Sequence, residues 1–155
     1  MNIEDLKSIM DAFDPASLLP EMESILTVLV DAVRFAILAG PVAVLAFGVL
    51  FLVFAPKEAN YYLGYRCAFG MGSVEAWRFA QRLAGIIWTV LGLVLTVGMF
   101  ILTRKFSQLT AYDVVWTGAK YILWEVGLVA VSSLFINTVV MIQFTYDGDL
   151  RRNIR

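Results

Sequence analysis

Uncharged apolar residues run from Phe35 to Ala55 (FAILAGPVAVLAFGVLFLVFA) and again from Leu83 to Thr103 (LAGIIWTVLGLVLTVGMFILT). A third run, Tyr121 to Ile142 (YILWEVGLVAVSSLFINTVVMI), holds a single ionisable residue, Glu125. A helix rises about 1.5 Å per residue, so each run covers roughly 30 Å, the thickness of a bilayer's hydrocarbon core. The pattern predicts three transmembrane helices over about 35–55, 83–103 and 121–142. An odd number of spans puts the two termini on opposite sides.

The residues around the spans carry helix signals of their own. Ile3, Leu6, Met10 and Phe13 fall at helical spacing with charges opposite, which predicts an amphipathic N-terminal helix. Such a helix lies on the membrane surface or docks a partner. The segment lacks the basic start and short apolar stretch of a signal peptide. Pro20, with Glu21 and Glu23 after it, resembles a helix start that feeds into the first span. Asp31 and Arg34 are spaced to pair on one face. Gly40-Pro41 is expected to kink the span, because proline removes a hydrogen bond and crowds the preceding turn. Ser73 is placed to cap the second helix, with Glu75 in its first turn. Arg78 and Arg82 stand one turn apart where cations reach headgroups, and Trp77 suits the same interface. Thr110 and Asp113 have capping-box spacing at the start of the third helix. The predicted fold is therefore all-α: an integral membrane three-helix bundle with an amphipathic N-terminal helix. Residues 1–34 form the acidic N-terminal segment leading into helix one, and 35–155 the membrane domain.

Small residues indicate how the spans pack. Ala32, Ala36, Gly40 and Ala43 make a stripe on the first helix, Gly85, Thr89, Gly92 and Thr96 on the second, and Ala130, Ser133 and Asn137 on the third. Small residues let backbones approach closely. They are read as packing within one bundle, the rival being an interface between copies. Two intramembrane polar residues are candidates for function. Glu125 either has a role of its own or stays wet near Tyr121 and Trp124, bonded to Lys120 or Arg104. Asn137 either contacts a ligand or makes a helix–helix hydrogen bond.

Composition supports lipid as the solvent. The chain has 155 residues, one domain's length, and is 60% hydrophobic and 16% charged. Soluble domains are about 45–50% and about 25%, and so short a chain has too little interior to hide the excess. Chemistry is limited by what is missing. Without histidine, and with Cys67 as the one cysteine, common zinc sites, nucleophilic triads and an internal disulfide are ruled out. Gly64, Gly70 and Gly72 lack the lysine and helix of a phosphate loop. Asp147 and Asp149 in YDGDLRR read as a tight turn, since calcium loops need more ligands. The expectation is a protein that is not an enzyme and holds no metal or cofactor. A net charge of −1 gives no sign of nucleic-acid binding.

Charge also bears on orientation. Lys57, Arg66, Arg78, Arg82, Arg151, Arg152 and Arg155 fall on one side; Lys7, Arg34, Arg104, Lys105 and Lys120 fall on the other. The richer side is expected to be cytoplasmic. Residues 1–23 hold six acids and one lysine, and an inside-negative potential favours such a tail outside. The prediction is an external N-terminus and a cytoplasmic C-terminus.

One segment has informative residue order. NYYLGYRCAFG, Asn60 to Gly70, places Asn60 three residues ahead of Gly64-Tyr65-Arg66. Glu75-Ala76-Trp77 and Ala80-Gln81 follow, with Gly85 at the mouth of a span. This order resembles the SdpI family of bacterial membrane proteins, through Asn60, Gly64, Tyr65, Arg66, Trp77, Ala80 and Gln81. Cys67 stands where that family usually has Thr or Ser, and Gly72-Ser73 replaces an Asn often seen ahead of the Trp. The resemblance covers about residues 40–105 and, by topology, the third span. It implies a multi-pass protein of the bacterial inner membrane that gives immunity to a secreted peptide toxin, or signals by holding a regulatory protein at the membrane. The implied partners are lipid, a peptide toxin and a regulator. Asn60, Gly64, Tyr65, Arg66, Trp77 and Gln81 become the candidate partner-binding residues. For Arg66 the residues leave lipid anchoring or helix capping open beside binding. An accessory or structural subunit of a larger membrane complex or transporter is the alternative role.

Overall fold

A computed structural model of the chain describes residues 15–54, 56–59 and 62–151. The amphipathic helix expected over 3–13, and Asn60, lie outside the described residues. The structure consists of three long helices: α1 (Pro15–Val53), α2 (Val74–Leu102) and α3 (Ala111–Gln143). Short 3-10 turns sit at Ala68–Gly70 and Thr103–Gln108. All three helices are long and apolar enough to cross a membrane, over Ser24–Val53, Val74–Gln108 and Ala111–Gln143. This is a multi-pass membrane protein, and each helix begins well before its apolar run and ends close to where the run ends.

The expected caps are formed. Ser73 Oγ accepts from the Ala76 amide at 3.1 Å and so opens α2. Thr110 Oγ1 accepts from the Asp113 amide at 3.3 Å and donates to Asp113 Oδ2 at 2.7 Å. The start of α1 is a correction. It begins at Pro15, not Pro20, because Pro15 occupies the first turn, where a missing N–H costs nothing. The chain stays helical through Gly40-Pro41, with Pro41 buried. Arg34 does more than the expected pairing with Asp31 at 3.7 Å. Its guanidinium donates to the carbonyls of Thr103 (3.0 Å) and Arg104 (3.3 Å), so a cation satisfies acceptors left over at the end of α2.

Contacts between α1 and α2 are the most extensive, and they run antiparallel. Gly85 sits on Leu52, Gly48 on the backbone of Thr89, and Gly92 on the backbone of Leu45. The α2 stripe is therefore spent within the bundle, as expected. The α1 stripe is spent only at Gly40, which faces Glu125 of α3; Ala32, Ala36 and Ala43 are exposed. Helix α1 turns larger residues inward instead, among them Ile37 and Phe51, and Val33 and Ile37 pack on Gly118 of α3. One core cluster sits at each end. Ile37, Met99, Phe106 and Val114 fill one, and Phe51, Tyr65, Ala76, Ala80, Ala84, Ile136, Val140 and Phe144 fill the other. The outer face carries exposed Phe35, Phe47, Phe100, Trp124 and Leu134, a surface suited to lipid.

Beyond α3 the chain turns back. Phe144 and Leu150 form an isolated antiparallel bridge, and Gly148 adopts a positive φ of 85° in the tight turn expected of YDGDLRR. Arg151 donates to the Phe144 carbonyl at 3.1 Å. Ser73 Oγ donates to the Gly148 carbonyl at 2.8 Å, so this turn seats on the start of α2.

Candidate functional site

The segment between α1 and α2 is built on a glycine. Gly64 has φ +124°, a conformation that side chains rarely adopt. An added methyl would come within 2.7 Å of the Trp77 ring and 2.9 Å of Gln81 Oε1. The next residue is then clamped. The Tyr65 amide donates to Gln81 Oε1 at 2.7 Å, and Gln81 Nε2 donates to the Tyr65 carbonyl at 2.6 Å. Gln81 is buried, and its side-chain amide replaces the ladder partner that Tyr65 would have in a sheet.

Tyr65 extends the clamp to the third helix. Its hydroxyl donates into a shared pair of acceptors, Asn137 Oδ1 at 2.8 Å and the Ser133 carbonyl at 3.0 Å. Its ring stands edge-on to Trp88 with centroids 5.4 Å apart, and Trp88 Nε1 donates to Ser132 at 3.2 Å. Burial, and then the nearby Cys67, pushes the Tyr65 phenol above its ordinary value, which keeps it a donor. Trp77 closes the arrangement on the other side. It is fully buried in the bundle instead of facing outward as an interfacial side chain would, and its Nε1 donates to the Pro56 carbonyl at 2.9 Å. Burial gives it a place beneath Gly64, where only a residue without Cβ leaves room for the indole.

These contacts bring together Gly64, Tyr65, Trp77 and Gln81, with Asn137 recruited from α3. Asn137 bonds the loop, not a neighbouring helix as first expected. Arg66 is exposed next to the clamp. Gly70 is needed for close approach and not for a left-handed turn: a methyl there would meet Cys67 Sγ at 2.7 Å and Ala80 at 3.0 Å. Burial pushes the Cys67 thiol up, against a smaller opposing effect of the Gly70 backbone, and so disfavours the nucleophilic thiolate. The roles of Pro56, Ser133 and Trp88 were not visible in the sequence. A backbone carbonyl leaves no trace there, and Trp88 reads as one more apolar residue.

Glu125 lies apart from this site, near the other end of the bundle. It is buried, and it bonds neither Lys120 nor Arg104. Lys120 sits over the Trp116 ring at 5.4 Å and Arg104 over Phe100 at 5.1 Å. Glu125 is 5% exposed and turned toward α1, its Oε2 3.1 Å from where a Gly40 Cβ would stand. Its Oε1 is buried with no hydrogen-bond partner among the described residues. Leaving a buried polar group unsatisfied costs about 1–3 kcal/mol. Glu125→Leu is therefore expected to raise the melting temperature of the purified protein in detergent, with a gain of about that size. A fall would show that the carboxyl has a stabilising partner.

The model for the SdpI/YfhL protein family matches residues 56–144, more than half of the chain. The match begins just past the end of α1 and takes in the clamp, α2 and α3. No curated protein and no solved structure matches the chain.

Proposed function

The chain belongs to the SdpI/YfhL protein family, and from that premise we propose that it acts in immunity to a membrane-active peptide toxin or in the signalling tied to it. The observation that carries this reading is the clamp. One loop is tied to α2 twice, through Pro56 to Trp77 and through Tyr65 to Gln81, and to α3 through Ser133 and Asn137. A shift of α3 against α2, such as a peptide in the bilayer could impose, would have to break the Tyr65 hydroxyl bonds. The loop and its exposed Arg66 would then present a different face to a regulatory protein. In this reading the protein sits in the bacterial inner membrane, with the loop and C-terminus cytoplasmic and the N-terminus outside. The bias of Lys and Arg supports that placement.

Expression in a toxin-sensitive strain is expected to protect it. Arg66→Ala should abolish protection at unchanged abundance, and Tyr65→Phe should weaken it. A reporter fused to the C-terminus should read as cytoplasmic. Full protection by both variants would overturn the proposal. A second reading, an accessory subunit of a larger membrane complex, draws on the exposed small-residue stripe of α1. Stoichiometric co-purification with a membrane partner, lost in Ala36→Leu, would favour it.

A further inference from the structure

A groove of about 370 Å³ opens between the end of α1 and the first turns of α2. Lys57, Arg78 and Arg82 stand on its walls with Phe51 and Leu52 beside them. We propose that this groove binds the phosphate headgroup of an anionic phospholipid, with the acyl chains continuing along the apolar end of α1.

Three independent features point to such a ligand. The first is charge. Three cations line one groove, all three are exposed, and among the described residues no carboxylate pairs with any of them. Cations gathered without a paired carboxylate repel one another, and an anion relieves that cost. The second is amphipathicity. Phe51 and Leu52 belong to the last turn of a membrane-spanning helix, so the groove passes from apolar to cationic at the depth where a lipid does the same. The third is rigidity. Arg78 Nε donates to the Lys57 carbonyl at 3.3 Å, and the Trp77 indole holds the Pro56 carbonyl from the neighbouring position. The rim is thus fixed to α2 before a ligand arrives. Gln81, behind the groove, has both ends of its amide committed to Tyr65, which leaves recognition to the cations.

Native mass spectrometry of the full-length protein in detergent, titrated with phosphatidylglycerol, tests the proposal. Phosphatidylglycerol is expected to be retained and phosphatidylcholine not. Each cation near a headgroup contributes about fivefold, so Lys57→Gln with Arg78→Gln and Arg82→Gln should weaken retention roughly a hundredfold. Arg78→Lys with Arg82→Lys keeps the charge and should stay within about fivefold of the native protein. If the triple variant does not fold, as judged by its melting curve, single Lys57→Gln and Arg82→Gln variants take its place, each with about a fivefold loss. Removing three cations from the opposite end, Arg104→Gln, Lys105→Gln and Lys120→Gln, should leave retention unchanged. Equal loss at both ends would reduce the effect to overall charge and overturn the proposal. So would unchanged retention in the groove variants, or displacement of the lipid by millimolar inorganic phosphate, which would make this a site for the free anion.

Discussion

Gly64→Ala is expected to lower the stability of the detergent-purified protein by about 3 kcal/mol. Two costs combine. A residue with a Cβ at φ +124° is held in a sparsely populated region, worth of order 1–3 kcal/mol. The new methyl also meets the Trp77 ring at 2.7 Å and Gln81 Oε1 at 2.9 Å. Neither neighbour can yield cheaply, since Trp77 is fully buried and bonded to Pro56, and Gln81 is bonded twice to Tyr65. Relief by moving the loop would break the Tyr65 clamp and leave buried polar groups unpaired. The expected readouts are a lower melting temperature and faster proteolysis within residues 56–72. Gly127→Ala, where an added methyl meets nothing within 4 Å, should be neutral or slightly stabilising. A Gly64→Ala protein as stable and as protease-resistant as that control would show that the loop is not built on this glycine.

The spans and caps were legible because their signals are local. Uncharged runs report lipid, and Ser73 and Thr110 announce helix starts within three residues of the amides or side chains they bond. The clamp was legible only as a list of residues. Gly64, Tyr65, Trp77 and Gln81 stand out through a family resemblance, but Tyr65 and Asn137 are 72 positions apart, and no short-range pattern joins them. Trp77 was misplaced because an aromatic beside Arg78 looks interfacial. Its burial depends on the missing side chain of Gly64. Glu125 was misplaced for the same kind of reason. Its sequence neighbours Tyr121 and Trp124 suggest a wet interface, whereas its environment is set across the bundle by Gly40. The α1 stripe failed at its three alanines because small residues in register say that backbones can approach, and not which helix approaches.

That last ambiguity makes Gly92→Ala the sharpest test of the bundle. The position lies in a small-residue stripe that suits either a neighbouring helix of the same chain or a second copy. In the structure its Cβ would run into the backbone of Leu45, and backbone cannot rotate out of the way as a side chain can. Adding one methyl must therefore push α1 and α2 apart along their whole contact, which also loosens Gly48 from Thr89 and Leu52 from Gly85. Overpacking of this kind costs about 1–3 kcal/mol, and a rigid obstacle places it at the upper end. Ala has the better helix propensity, worth roughly 0.8–1.0 kcal/mol in the opposite direction, so a net loss of about 2 kcal/mol is expected. Gly98→Ala, in the same helix with nothing near its added methyl, supplies the propensity gain alone. The two variants should thus move the melting temperature in opposite directions while the mass measured by light scattering stays constant. If Gly92→Ala instead left the melting curve alone and changed the number of copies in the complex, the stripe would be an interface between chains. The α1–α2 packing described here would then be wrong.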